Sequence, residues 1–296
     1  MTVGRVLVVG DVITDVVAVL GGPLAAGSDT PAAVRVAGGG QAANTAAWLA
    51  ATGTPVTLAG VVGDDPAGDA RLAELAAAGV TSAVRRAPGA VTGTIIVLSS
   101  GDDRSMITDR GANLLLRPAD VDAAHAEDVV HLHLSGYALL DADSRPAARH
   151  ALRIGVPVSV DAASAAPLRE IGATTFLDWV RGCALLLANA DEALVLAGPG
   201  DAHDQALAIA AATGGVAVVK RGAAGAVRAS ADGTVIALPP SLAVAVEPVD
   251  PTGAGDAFAA GLIAALIGGA SPLDALAAAH TLGARAVTTI GARPAR

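Results

Sequence analysis

The residues best suited to chemistry run Asp250-Pro251-Thr252-Gly253-Ala254-Gly255-Asp256-Ala257-Phe258. A strand-like run, Leu242 to Val246, precedes them, and an apolar run from Ala257 to Ile267, long enough for a helix, follows. Gly253, Ala254 and Gly255 therefore stand where a loop becomes a helix N-terminus, with unpaired backbone N–H groups and the positive end of a helix dipole. Such a turn binds anions. Asp256 lies inside it. A carboxylate repels a phosphate, so its natural role there is that of a base acting on the group that attacks the phosphate.

Other polar residues follow strand-like runs. Gly38-Gly39-Gly40-Gln41-Ala42-Ala43-Asn44 precedes an apolar helix; the glycines admit a ligand close to the backbone, and Gln41 and Asn44 can offer amides to hydroxyls. The same stretch also reads as a plain helix start. Asp11 and Asp15 follow the first strand, where a carboxylate can accept hydroxyl protons from a polyol or simply cap a turn. Asp15 is favoured for the ligand. Asn189 and Glu192 form a capping-box variant, and the pair also suits hydrated Mg²⁺ near phosphates. Lys220-Arg221-Gly222-Ala223-Ala224-Gly225 reads as a hairpin turn or as a turn passing beneath a nucleotide. His131 and His133 alternate on one strand face without a third metal ligand nearby, and so read as core or cleft histidines.

These residues need elements to position them. Val6–Val9, Val56–Val61, Val129–Leu134, Val158–Val160, Cys183–Leu187 and Val216–Val219 read as buried strands, alternating with helical patterns at 41–52, 67–78, 144–154, 190–197 and 204–212. That rhythm predicts an α/β fold with a mostly parallel sheet covered by helices on both faces. Ligands bind beyond the C-terminal ends of such strands. Short β-like pieces at 15–20, 33–36, 92–99 and 104–108 break the rhythm. The last two read as a hairpin across Gly101-Asp102-Asp103. Together they read either as a small second sheet, inserted at roughly 13–36 and 90–110, that covers the crevice as a lid, or as two surface hairpins without a role.

The 296 residues suffice for one large domain, and the 53% hydrophobic content with only 2% aromatics predicts a core of Ala, Val, Leu and Ile. A net charge of −9 argues against nucleic acid or an anionic membrane as partner. The only cysteine, Cys183, lies in an apolar run and reads as a small core residue. No signal-like segment or membrane-length apolar run is legible, so a soluble cytoplasmic protein is expected.

Taken in order, these motifs resemble the ribokinase-like, or PfkB, carbohydrate kinase family over nearly the whole chain. The 250–258 stretch matches its C-terminal signature, and Gly39 to Asn44 resembles its N-terminal one. Val62-Gly63-Asp64-Asp65-Pro66-Ala67-Gly68, Asn189 to Glu192 and Lys220 to Gly225 also fit. The resemblance implies a three-layer αβα fold with a small β lid, 1–296 as one kinase domain, and transfer of the γ-phosphate of ATP to a hydroxymethyl group. Asp256 would then be the general base and Gly253, Ala254 and Gly255 the anion hole. Asp15, Gly39, Gly40, Gln41 and Asn44 would hold the acceptor. Asn189, Lys220, Gly222, Gly225 and Thr252 would bind ATP, with Glu192 holding Mg²⁺ through water. Some members use K⁺, for which Asp250, Ala286, Thr289 and Gly291 occupy the matching places. Pairing of exposed lid edges would give a homodimer.

The chain departs from the ribokinase pattern at Ile13, where Asn is common, and at Gln41, where Lys is usual. A strict ribose kinase is therefore not expected. Another sugar, or a nucleoside of the pseudouridine or adenosine type, remains open as the acceptor. A non-catalytic sensor on the same fold is disfavoured by the intact Asp256 and its glycines.

Overall fold

The computed structural model describes residues 4–100 and 103–295. Its main sheet has nine strands, in the order Val235–Leu238, Ala226–Ser230, Val216–Lys220, Leu185–Asn189, Val158–Asp161, Val129–Ser135, Arg5–Val9, Val56–Ala59, Thr81–Ser82. The first two strands of that order pair antiparallel and the others parallel.

Alternation along the strands divides the core. Leu7 and Val9 face one helical layer with Leu132, Leu134, Phe176 and Leu186. Val6 and Val8 face the other, with Trp48, Leu49, Leu58 and Ile263. A third cluster packs Leu185, Leu187 and Val218 against Phe258, Leu262 and Leu276. Helices thus cover both faces, as expected, and Cys183 is buried. The five central parallel strands lead into Asp11, Ser135, Asp161, Asn189 and Lys220 at their C-terminal ends.

A second sheet of four strands runs Ala32–Gly39, Ile13–Leu20, Gly93–Ser100, Asp103–Asp109. These are the pieces that broke the α/β rhythm. Gly101 and Asp102 of the anticipated hairpin turn lie outside the described residues.

Two sequence expectations need correction, and one stretch without an expectation forms an element. The run Val56–Val61 is two strands, Val56–Ala59 and Val61–Gly63, which belong to different sheets. They divide at Gly60, where a Cβ would approach the Gly10 carbonyl oxygen to 2.7 Å, so only glycine lets the chain pass there. Leu242 to Val246 is not a strand: a 3₁₀ turn at Pro240–Leu242 gives way to irregular backbone. Pro239, Pro240 and Pro248 deny this segment ladder donors, and its valines face a cavity instead. The segment 272–287, given no element above, is a 16-residue helix capped by Ser271, with Pro272 in its first turn.

Candidate active site

The helix Ala254–Ile267 begins at Gly253, whose φ of 78 is left-handed and whose turn no side chain caps. A Cβ on Gly253 would come 2.6 Å from Cα of Ala292, so both conformation and space demand glycine. Of the N–H groups of this first turn, that of Ala254 donates to the Pro251 carbonyl at 3.3 Å. Asp256 stands among them, and Asn44, from the helix Gln41–Ala51, donates its amide to Asp256 at 2.9 Å. Burial raises the Asp256 carboxyl to about 7, against the pull of the Asn44 hydrogen bond; the Asp161 and Asp11 charges push the same way as burial, and Lys220 opposes them.

Two of the acceptor-side candidates, Asn44 and Gly39, are linked through Arg293. Arg293 donates to Asn44 Oδ1 at 3.2 Å, to the Gly39 carbonyl at 3.0 Å and to Glu74 at 3.2 Å. Asp15 lies against Gly39, where a Cβ would collide with its carboxylate. Burial draws the Arg293 guanidinium down to about 10. Asp11 caps the Gln41–Ala51 helix from a distance, accepting the N–H of Gln41 at 3.1 Å and of Ala42 at 3.3 Å. Of the two readings offered for Asp11, the cap is the one realised. Gln41 turns its side chain away from this cluster, giving its amide to Asp161 at 3.0 Å while its oxygen lies 2.7 Å from the Ser135 hydroxyl.

On the other side of Gly255 opens a cavity of about 470 Å³, lined by Asn189, Lys220, Gly222, Val246, Gly255 and His280 among others. Gly225 also borders it. His280 ties its walls together, with Nδ1 accepting the Val244 N–H at 3.2 Å and Nε2 facing the Gly222 carbonyl at 3.1 Å. The Asn189–Glu192 pair forms the full capping box. Desolvation raises Glu192 to about 7, against the attraction of Lys220. Among the described residues no three His, Cys, Asp or Glu side chains gather as a metal cage. Mg²⁺ bound chiefly through phosphates and water would need no such cage.

Thr252 does not line the cavity; its hydroxyl donates to Asp250 at 2.5 Å. Asp250 also accepts the Gly291 N–H at 2.9 Å and pairs with Arg35 of the small sheet at 3.2 Å. The Ala286 carbonyl receives the Thr289 N–H at 3.3 Å. The neighbouring Val287 carbonyl accepts the Asp250 N–H at 3.1 Å, which ties the end of the 272–287 helix to Asp250. His131 and His133 share the Ser159 hydroxyl at 2.8 and 2.9 Å as buried residues of the sheet.

A model described as pfkB family carbohydrate kinase matches residues 3–296. The chain belongs to this family. Among its relatives, an ATP-dependent ribose-1-phosphate kinase from Halopiger xanaduensis is 31% identical, over 92% of this chain and 88% of the relative. The ribokinase of Bacillus subtilis is 30% identical, over 86% and 83%. An adenosine kinase from Sinorhizobium meliloti superposes with a TM-score of 0.84 at 25% identity, covering 99% and 96%. A protein from E. coli assigned as a ribokinase II, solved with ATP and Mg²⁺, gives 0.85 at 26%, covering 98% and 94%. This pfkB family member is an ATP-dependent phosphotransferase with an alcohol group as acceptor.

Sequence reasoning missed Asp161 and Arg293. Asp161 carried a usable signal, an acid directly after a strand, the same signal that drew attention to Asp11. Arg293 had none, because its partners lie up to 254 residues away.

Proposed function

We propose that the kinase phosphorylates a primary hydroxyl of an uncharged sugar or sugar-like acceptor, with Asp256 as base. The observation that carries this reading is the contact of Asp256 with Asn44 beside an uncapped helix N-terminus. The acceptor oxygen attacks the γ-phosphorus and its proton passes to Asp256. The new O–P bond forms as the bond to the β,γ-bridging oxygen breaks, and ADP leaves. Backbone N–H groups of Gly253, Ala254 and Gly255 take up charge on the transferred group. Asp15, Gly39, Gly40 and Asn44 hold the acceptor, Arg293 sets Asn44, and Gln41 acts from behind the helix N-terminus. The cavity takes the nucleotide between Lys220, Gly222 and Gly225, with Asn189 and Glu192 near Mg²⁺ and Thr252 bracing the turn through Asp250.

An uncharged acceptor fits the charge balance. Arg110 already faces Asp141 at 2.8 Å and Asp11 at 3.7 Å, and Arg71 and Arg293 share Glu74. A nucleoside acceptor is the second reading, and Tyr137, whose hydroxyl feels the Asp11 and Asp256 charges, disfavours it: the Arg110 guanidinium packs 4.9 Å from the ring centroid.

The chain acts as a single domain whose small sheet is the lid; the Arg35–Asp250 pair supports contact between that sheet and the anion turn. Asp250, Ala286, Thr289 and Gly291 are the proposed K⁺ neighbourhood. Val36, Val16, Ile96 and Ile107 lie side by side on one face of the small sheet, with Val36, Ile96 and Ile107 exposed, so a second copy of the chain is the proposed cover. No described helix is long and apolar enough to cross a membrane. With the acidic net charge, that supports a small-molecule substrate in the cytoplasm rather than nucleic acid or a bilayer.

The test is ADP release with Mg·ATP across a panel of sugars, sugar phosphates and nucleosides. Turnover on neutral sugars is expected. Turnover confined to sugar phosphates or nucleosides would reject the acceptor assignment.

A further inference from the structure

Position 220 holds the only lysine among the 19 lysines and arginines of the chain. Arginine serves everywhere else, in surface pairs and buried ones alike. An ammonium differs from a guanidinium in being compact, with rotatable donors on a slender stem. The surroundings of Lys220 require that shape. Its Nζ donates to Asp161 Oδ2 at 2.6 Å, and both side chains are almost fully buried, at 12% and 3% exposure. A Cβ built on Gly255 would lie 3.4 Å from the same Nζ, so the ammonium fits between Asp161 and the backbone of the anion turn. It also lines the cavity assigned to the nucleotide.

Asp161 is built to hold it. Its other oxygen, Oδ1, accepts the Gln41 amide at 3.0 Å and the Ala163 N–H at 3.2 Å. Ala163 has φ 76, the one non-glycine residue at positive φ among the described residues. Such a conformation costs about 1–3 kcal/mol and persists only where the surroundings enforce it. Beyond Gln41, the Ser135 hydroxyl lies 2.7 Å from the Gln41 oxygen and 2.8 Å from Asp11 Oδ1, and has one proton to give between them. A lysine in place of Gln41 could not accept from Ser135; the amide can accept at one end and donate at the other.

We infer that Lys220 is a catalytic cation that contacts the transferred phosphoryl group, and that Asp161 is its positioning residue, tied through Gln41 and Ser135 to the floor of the acceptor side. One of the three ammonium donors goes to Asp161, leaving two for phosphoryl oxygens. Lys220 stays protonated throughout; the acceptor's proton goes to Asp256. Asp161 touches neither substrate. The inference rests on placing the nucleotide in the cavity, but does not depend on which alcohol accepts the phosphate.

A single lysine makes the test direct. Wild-type protein is treated with an amine-selective acylating reagent with and without Mg·AMP-PNP, and acylation of the peptide bearing Lys220 is read by mass spectrometry. The nucleotide should slow acylation at least about tenfold; an unchanged rate in nucleotide-saturated protein would overturn the contact. In Asp161→Asn, which keeps the acceptor oxygen for Gln41, acylation without nucleotide should accelerate, and an unchanged rate would overturn the positioning role. With the acceptor identified by the panel, Lys220→Met and Lys220→Arg should both lose about 100-fold or more in kcat, the cost of one preorganised donor. Asp161→Asn should lose kcat with KM for ATP within about threefold of wild type, the mark of an interaction made in the transition state. An arginine variant at wild-type kcat would overturn the requirement for an ammonium. Because the acylation arm needs only wild-type protein and AMP-PNP, a wrong acceptor assignment and a wrong role for Lys220 give different results.

Discussion

Replacing Asp256 by Asn tests the reaction and the electrostatics together. Asp256 is displaced from 3.8 to about 7. As the base must be ionised, kcat/KM should fall about tenfold per pH unit below 7, to about 1% of its plateau at pH 5. Glu192 is also raised to about 7, so Glu192→Gln serves as a control that should retain the limb. Asp256→Asn itself should lose about 10²–10⁴ in kcat at pH 8. Stability should move the other way. The unfolded carboxyl ionises near 3.8 and the folded one near 7, so between these values the folded state binds more protons and wild-type stability declines as pH rises. The penalty is absent below pH 3.8 and complete above pH 7, reaching about 4 kcal/mol as an upper limit at about 1.4 kcal/mol per unit. Asn escapes it while still accepting the Asn44 amide. The variant should therefore melt several degrees above wild type at pH 8 and close to it at pH 3.5, at about 2 °C per kcal/mol for a chain of this size. The assays are a pH series of initial rates and thermal melts at both pH values. Near-wild-type turnover in the variant, or a thermal gain independent of pH, would refute the reasoning.

Gly253→Ala should cost about 1–3 kcal/mol in stability, from strain at φ 78 and the approach to Ala292, and nearly all turnover; a denaturant titration with a rate measurement checks both. His280→Leu removes the link between Val244 and Gly222, so KM for ATP should rise at least about tenfold with kcat little changed; an unchanged KM would show that the walls hold without it. Val36→Lys with Ile107→Lys should shift the chain from dimer to monomer in light scattering, because two charges would enter the proposed apolar contact. Replacing Na⁺ by K⁺ at constant ionic strength should raise kcat/KM if the carbonyls around Asp250 hold a cation, and equal rates would remove that site.

The features legible in the sequence are those with a local cause. The turn at Gly222, the capping box of Asn189 and Glu192, and the glycine-opened helix at Gly253 each follow from backbone conformations and donors set within a few residues. The strand–helix alternation is similarly local, because burial on both faces of a parallel sheet leaves continuous apolar runs. Where a local pattern misled, a tertiary surface was the cause: the alternating valines of 242–246 face a cavity rather than a neighbouring strand.

Only the tertiary structure decided the partners. Asn44 reaches Asp256 across 212 residues, Gln41 reaches Asp161 across 120, and Lys220 reaches Asp161 across 59. Parallel strands joined by helices bring their C-terminal ends together while keeping those ends far apart in sequence, so no spacing rule reveals which end residues will pair. By itself the sequence determined that a glycine-opened helix start and an acid, Asp256, stand together near residue 253. The fold decided which amide meets that acid. Desolvation in that setting is what raises the Asp256 carboxyl to about 7.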